Sequence, residues 1–287
     1  MLGKTLRYFR KSKNLALEYV CQDILTVSFL SKVERGLSDI SANNLLLVLK
    51  KLGIDLYEFA HIYSLFQESE DLDFIKLHNL YSNKEISSIK NILENNKNKS
   101  YYNNKKIDKI LLQILISKLE TTTVNKKDIK YVHSYLMTLN SWTYRDLYLY
   151  CQSLHLYDHN IMINLSNIAL KTCNKYYDNI NYTFSIIYML LNNTILQCLK
   201  FNDIENAEYF LNSLLNKKIN NRDYYHKLKT RSLEILVSYK KGMTPLSELK
   251  VLLDTLTFID SSEHSYKQTK LLLKDILPDN DFTKLFK

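Results

Sequence analysis

The sequence predicts an all-α protein, and its turn residues and apolar patterning carry that prediction. The 287 residues include only four glycines and two prolines, and no Asn-Gly pair occurs. β-Sandwiches and barrels need many turns built from these residues, so they are disfavoured. Apolar residues instead recur at helical spacing in stretches that end at glycine or at asparagine-rich clusters. We therefore expect an N-terminal five-helix helix-turn-helix domain followed by a tetratricopeptide-like α-solenoid.

The composition also excludes several classes of function. Loops that cradle phosphates need clustered glycines, whereas the two closest glycines, Gly36 and Gly53, are 17 positions apart. The longest apolar stretch, Ile186–Leu191, has six residues, far fewer than the ~20 that span a bilayer. The N-terminus lacks the apolar segment of a secretory signal. We therefore expect a cytoplasmic protein with no membrane partner.

The chain is basic. Its 39 lysines and arginines exceed its 30 aspartates and glutamates, which gives a net charge of +9. Such a balance favours an anionic partner, of which nucleic acid is one kind.

Residues 1–65 divide into five short predicted helices. Thr26 is a good N-cap for the third helix, and Gly36 is a good residue to end it. Leu30 and Val33 are spaced i, i+3, so we expect both to face the core. A tight turn between the second and third helices is typical of a helix-turn-helix. The outward face of the third helix then carries Ser28, Phe29, Lys32 and Arg35.

This face has the chemistry of a DNA-reading helix. Lys32 can donate to guanine acceptors in the major groove, and Phe29 can contact a thymine methyl group. Basic residues on the first helix suit phosphates. The predicted DNA-binding residues are Arg7, Arg10, Lys11, Thr26, Ser28, Phe29, Ser31, Lys32 and Arg35. The alternative is a small helical bundle whose basic residues only face solvent.

A family resemblance favours the DNA-binding interpretation. The string Leu30–Gly36 resembles the signature of Cro/repressor-type helix-turn-helix domains. Together with Gly3–Arg7, Arg10-Lys11 and Leu45-Leu46, it is similar to the start of the Rgg/GadR/MutR family of Gram-positive regulators. The resemblance implies that this domain binds double-stranded promoter DNA and that the protein is a homodimer. Some members carry a cysteine that can bridge two subunits at the position of Ala42, and alanine excludes that link here.

The rest of the chain is predicted to form helices of matched length. Residues 66–71 are predicted to be a polar linker, and residues 72–287 a helical-repeat domain for effector binding and dimerisation. Short breaks between such helices favour a stacked solenoid. The predicted helices are 72–81, 83–96, 103–121, 125–140, 142–156, 159–178, 182–201, 203–216, 221–241, 244–259, 264–277 and 279–286.

The resemblance extends into this second region. Asn202–Phe210 is the best local match to a tetratricopeptide repeat. Trp142–Leu147, Tyr188–Asn193 and Asp223–Tyr225 resemble stretches of the Rgg-type C-terminal domain, in the same order. The resemblance therefore covers most of the chain, and it implies a domain that senses a short, apolar quorum-sensing peptide.

Polar residues on two predicted helices are candidates for the peptide groove. Asn and Gln amides both donate and accept, as an extended peptide backbone requires, and Arg145 can pair with an acidic side chain or a terminal carboxylate. The predicted peptide-binding residues are Arg145, Tyr148, Gln152, Asn192, Asn193 and Gln197. The alternative is that these residues form ordinary solvated helix faces.

Signals for catalysis and metal binding are weak. His155 and His159 are spaced i, i+4, but no third ligand follows, so we interpret them as surface residues. The four cysteines are far apart and form no C-x-x-C motif, so we expect small core residues. The sequence predicts no enzyme activity, no metal and no cofactor.

These observations together predict a cytoplasmic, homodimeric transcriptional regulator controlled by a signalling peptide. Two alternatives remain open at this point: a helical-repeat adaptor that binds other proteins, and an effector-free repressor of the phage type.

Overall fold

The computed structural model describes residues 1–66, 74–95, 105–176, 184–259 and 263–286. Across these ranges the chain is helical and contains no β-strand, so the all-α prediction is confirmed. The chain divides into two compact units, Met1–Asp73 and Phe74–Lys287. None of the described helices is long and apolar enough to cross a membrane. The predicted linker falls almost entirely on 67–71, outside the described residues.

The described part of the first unit consists of five helices, as predicted. They are α1 (Leu2–Ser12), α2 (Leu17–Cys21), α3 (Val27–Glu34), α4 (Ala42–Leu52) and α5 (Leu56–Phe66). Leu30 and Val33 face the core and are each 1% exposed. The Thr26 side chain accepts a hydrogen bond from the Phe29 N–H at 3.2 Å, which confirms the predicted N-cap. Gly36 follows α3 with a φ of +75°, a conformation that glycine adopts without steric cost.

Helices α1 and α3 approach each other closely at Gly3. A Cβ atom on Gly3 would lie 1.8 Å from the carbonyl oxygen of Val33, well inside van der Waals contact. Only a residue without a side chain permits this packing. The orientation of α3 therefore depends on a backbone contact with α1.

A buried ion pair fixes the same two helices. The Arg10 guanidinium donates from Nε to Glu34 Oε1 and from Nη2 to Glu34 Oε2, both at 2.6 Å. Its Nη1 donates to the carbonyl oxygen of Leu15 at 3.0 Å. The carboxylate raises the pKa of Arg10 through these hydrogen bonds. The expectation that Arg10 contacts phosphate therefore has to be corrected, because this side chain is buried and bonded to Glu34.

The second unit contains twelve helices within its described ranges, one for each predicted helix. They are α6 (Phe74–Ser82), α7 (Ile86–Asn95), α8 (Lys105–Glu120), α9 (Lys126–Thr138), α10 (Tyr144–Ser153), α11 (His159–Tyr176), α12 (Phe184–Lys200), α13 (Ile204–Leu215), α14 (Tyr224–Lys240), α15 (Leu246–Ile259), α16 (Glu263–Ile276) and α17 (Asp279–Leu285). A single 3₁₀ turn, Leu154–Leu156, extends α10. The predicted ends at 72–73, 96, 103–104, 177–178 and 182–183 lie outside the described residues.

The helices of the second unit stack in two series. Helices α8, α10, α12 and α14 contact one another in succession, and α9, α11 and α13 pack alongside them. A buried polar network joins three of these helices: the Tyr150 hydroxyl lies 2.6 Å from Ser166 Oγ, which lies 3.0 Å from Thr194 Oγ1. All four cysteines are buried and none forms a disulfide, as expected of core residues.

We expect Gly3→Ala to destabilise the first unit by about 1–3 kcal/mol, because the added methyl group has to push α1 away from α3. Trp142, the only tryptophan of the chain, lies in the second unit. In Gly3→Ala, circular dichroism should therefore show the helices of the first unit unfolding at a lower temperature than in wild type. The unfolding temperature reported by Trp142 fluorescence should stay unchanged. Lys4→Ala, an exposed change on the same helix, is the control. Equal melting of Gly3→Ala and wild type would show that the close approach is not needed.

Arg10→Met should destabilise the protein by about 3–5 kcal/mol, because it leaves the Glu34 carboxylate buried without its partner. Adding Glu34→Met to it should restore much of the loss, since two apolar side chains fill the site without a buried charge. Denaturant unfolding of both single variants and the double variant measures this coupling, with exposed Arg7→Met as the reference. Simple additivity of the two single losses would contradict the ion pair.

Candidate functional site

The first candidate surface is the outward face of α3. Ser28, Lys32 and Arg35 are exposed, whereas Ser31 is half-buried. Phe29 is also half-buried, because its ring packs partly against the core of the first unit. The Arg35 Nε donates to the carbonyl oxygen of Ser31 at 3.3 Å, which holds this side chain along the helix. Ser28, Lys32 and Arg35 therefore share an accessible face of α3, and Phe29 and Ser31 are partly covered.

A basic cleft lies beside this face, between α1 and the end of α3. It is lined by Lys4, Arg7, Lys11 and Arg35, together with Tyr8 and Glu34. The three basic residues of α1 are spaced i, i+3, i+7 and therefore share one side of the helix. This positive cleft suits phosphate oxygens. Sequence reasoning missed Lys4, although its spacing from Arg7 was a usable signal.

The second candidate surface joins α10 to α12 through a chain of amides. The Tyr188 hydroxyl donates to Asn192 Oδ1 at 3.3 Å, and Asn192 Nδ2 donates to Asn193 Oδ1 at 3.1 Å. Asn193 Nδ2 in turn donates to the carbonyl oxygen of Cys151 at 3.2 Å. Gln197, one turn further along α12, is half-buried. Two predicted peptide-binding residues are therefore bonded directly to each other and to the neighbouring helix.

Two predicted residues of α10 need correction. Tyr148 is 1% exposed, and its ring packs edge-on against the ring of His78 at a centroid distance of 5.8 Å. Gln152 is 4% exposed and bonded within the protein. Helical spacing predicted that these residues share one face lining a groove, but neighbouring helices cover α10 on both sides. The third predicted residue of this helix, Arg145, is half-buried.

Gln152 is bonded to α8 and to α12. Its Oε1 accepts a hydrogen bond from Lys118 Nζ at 2.8 Å, and its Nε2 donates to the sulfur of Met189 at 3.7 Å. Burial lowers the pKa of Lys118 to about 8. Desolvation of the His155 ring, together with the positive charges of Lys118 and Lys200, lowers the pKa of His155 to about 4, although the residue as a whole is exposed.

Sequence reasoning missed Lys118. It continues the apolar stripe of α8 formed by Leu111, Ile114 and Leu115, all of which are buried. A lysine at such a position is a recognisable signal, because lysine is rarely buried without a partner.

An apolar cavity adjoins the amide chain. It has a volume of about 170 Å³ and lies among α12, α14, α15 and α16. Leucines form most of its wall, including Leu196, Leu233 and Leu253, while Tyr188, Asn192 and Lys229 add polar groups. The same asparagine therefore borders both a polar chain and an apolar space, as in ligand sites that combine apolar walls with a few placed polar groups.

The two histidines singled out in the sequence lie on different helical segments. His159 Nε2 lies 2.7 Å from Asp203 Oδ2, the carboxylate that also caps α13. His155 lies in the 3₁₀ turn that follows α10. Over the described part of the chain, no three metal-ligating side chains come together.

Two family models match the chain. The C-terminal domain of the HTH-type transcriptional regulator Rgg matches residues 90–270, and a helix-turn-helix model matches residues 6–59. These matches confirm the prediction that the protein is a transcriptional regulator rather than an enzyme.

Solved structures share the fold at low sequence identity. A candidate transcriptional regulator from Listeria monocytogenes EGD-e is 19% identical with a TM-score of 0.80, and the match covers 96% of this chain and 97% of that one. The SHP pheromone receptor Rgg2 from Streptococcus dysgalactiae is 20% identical with a TM-score of 0.71, over 94% and 98% of the two chains. PrgX in a PrgX/iCF10 complex is 15% identical with a TM-score of 0.66, over 99% and 94%.

The Rgg C-terminal model alone matches more than half of the sequence, and the helix-turn-helix model matches most of the first unit. The chain belongs to the Rgg family of helix-turn-helix transcriptional regulators.

Proposed function

We propose that this regulator binds promoter DNA through α3 and is controlled by a short apolar signalling peptide bound in the second unit. In this proposal residues 1–65 bind the operator, 66–71 connect the two parts, and 72–287 bind the peptide and dimerise. The protein acts in the cytoplasm. The observation that carries the peptide proposal is the position of Asn192, which borders both the amide chain and the apolar cavity.

In the DNA part of the proposal, α3 contacts bases and α1 contacts phosphates. Lys32 projects from the exposed face of α3 and reads a base, while Arg7 and Lys11 in the basic cleft hold phosphates. A homodimer places two such faces on the two halves of an inverted repeat. This association needs no disulfide, because the cysteines are buried and Ala42 stands where some relatives carry a bridging cysteine.

The peptide part rests on matched chemistry. An extended peptide carries unpaired backbone N–H and C=O groups, and burying them without partners costs free energy. The amides of Asn192, Asn193 and Gln197 both donate and accept, so they can pair with such a backbone. Apolar side chains of the peptide gain affinity by leaving water for the leucine-lined cavity. Two of the structural relatives support this proposal, since one is described as an SHP pheromone receptor and another as a PrgX/iCF10 complex.

Lys32→Ala should relax sequence preference at the operator and weaken specific binding by about 1–3 kcal/mol, since a base contact is lost. Arg7→Ala should instead weaken binding to all sequences alike and reduce the salt dependence by about one released counterion. Titrations of operator and scrambled DNA at several salt concentrations separate the two effects. If Lys32→Ala binds the operator as tightly as wild type, α3 does not read bases through this residue.

Asn193→Ala and Arg145→Ala should each weaken peptide binding while leaving operator binding by the peptide-free protein nearly unchanged, because these residues lie in the second unit. The probe is a labelled apolar peptide, selected for binding to the wild-type protein from a pooled synthetic library and followed by fluorescence anisotropy. Asn164→Ala, an exposed change on α11, is the matched control. Unchanged affinity in both variants would remove these residues from the peptide site.

A further inference from the structure

Lys118 occupies a position where a charge is costly. It lies on the same face of α8 as the buried residues Leu111, Ile114 and Leu115, and its side chain is only partly exposed. Removing an ammonium group from water costs free energy unless charged or polar partners replace the water. The partners of Lys118 therefore decide whether its position is merely structural.

Those partners do not neutralise the charge. Lys118 Nζ donates to Gln152 Oε1 at 2.8 Å, and within the described ranges no carboxylate forms an ion pair with it. Lys200 differs in this respect, because its ammonium lies 2.7 Å from Asp275 Oδ2. An ammonium group has three donors, and the Gln152 amide accepts only one of them.

His155, three residues after Gln152, adds no counter-charge to Lys118. Desolvation and the positive charges of Lys118 and Lys200 lower the pKa of His155 to about 4. The Gln152 amide is also fixed in orientation, because its Nε2 donates to the sulfur of Met189 while its Oε1 faces Lys118. The ammonium group of Lys118, a residue of α8, is thus held against α10, the helix to which Asn193 is also bonded.

We propose that Lys118, positioned by Gln152, is a carboxylate-binding residue for the effector, so that the effector is an apolar peptide carrying a negative charge at this point. The inference rests on the proposed peptide-sensing function and names the chemistry of its ligand. A carboxylate bound here supplies the missing counter-charge and accepts a charge-assisted hydrogen bond. Burial lowers the pKa of Lys118 to about 8 in the peptide-free protein, and an anion at this site would raise it again. The carboxylate can belong to the C-terminus of the peptide or to an Asp or Glu side chain.

The test uses the full chain and three pooled libraries of short synthetic peptides built from Leu, Ile, Val and Phe. The first library has a free C-terminal carboxylate, the second has a C-terminal amide, and the third is amidated but contains one Asp. Peptides retained by the wild-type protein are identified by mass spectrometry, and the best binder of each library is measured by fluorescence anisotropy. Preference for the first library identifies the C-terminus as the source of the carboxylate, and preference for the third identifies a side chain.

The variants are Lys118→Met, Lys118→Arg and Lys109→Met. Methionine fits the apolar stripe, so Lys118→Met should fold, and Lys118→Arg retains the charge. Lys109 is exposed on the same helix, so Lys109→Met is the matched control for the change in net charge. We expect wild type to bind the carboxylate-bearing peptide about ten- to a hundredfold more tightly than its uncharged counterpart. This ratio should fall towards one in Lys118→Met, remain in Lys109→Met and be largely recovered in Lys118→Arg.

Two failures are distinguishable. If peptides bind wild type and Lys118→Met with the same ratio of charged to uncharged affinity, the carboxylate site is overturned and the proposed peptide function stands. If no peptide from any library binds the wild-type protein, the proposed function fails, and this inference fails with it.

Discussion

The burial of α10 is the constraint on which the second unit depends. Eight consecutive residues of this helix, from Asp146 to Ser153, are buried, so each polar group on it has to find a partner inside the protein. Asp146 accepts from the Tyr135 hydroxyl at 2.9 Å and completes a capping box with Thr143. Tyr150 reaches Ser166, and Gln152 reaches Lys118. The hydrogen bonds that satisfy these polar groups also join α8, α9, α11 and α12 to α10. The same contacts therefore satisfy the buried polar groups and hold the stacked helices together.

The helices of the first unit are held together by a different kind of contact. Its helices are too short to be stable alone, and α3 has to be held at a defined angle to present Lys32. The contact between Gly3 and Val33 and the pair between Arg10 and Glu34 both join α1 to α3. The two contacts constrain different features of the packing. The steric contact at Gly3 sets the distance between α1 and α3, and the bidentate ion pair sets the rotation of one helix relative to the other.

The sequence predicted what is local. Helix ends follow from caps and breakers that act within a few residues, which is why Thr26 and Gly36 were assigned correctly and every predicted helix of the second unit has an observed counterpart. Burial was harder to predict, because it depends on neighbours distant in sequence. Arg10 looked like a surface cation until Glu34, 24 residues away, was placed beside it.

The candidate peptide site shows the same limit. Asn192 and Asn193 were found from their chemistry, but hydrophobic periodicity describes one interface of a helix and α10 has two. Tyr148 and Gln152 were therefore predicted to line an accessible groove, whereas both are buried. Lys118 was missed because α8 was predicted only as a helix over 103–121, with no face assigned to the interior of the protein.

The burial of the cysteines has a consequence for the chemical durability of the protein. Thiolates, rather than thiols, react with peroxides and alkylating agents. Burial raises the pKa of Cys198 to about 12, and it raises the pKa of Cys21 and Cys151 as well. At neutral pH these three sulfurs stay protonated and shielded, so peroxides and alkylating agents react with them more slowly than with an exposed thiol.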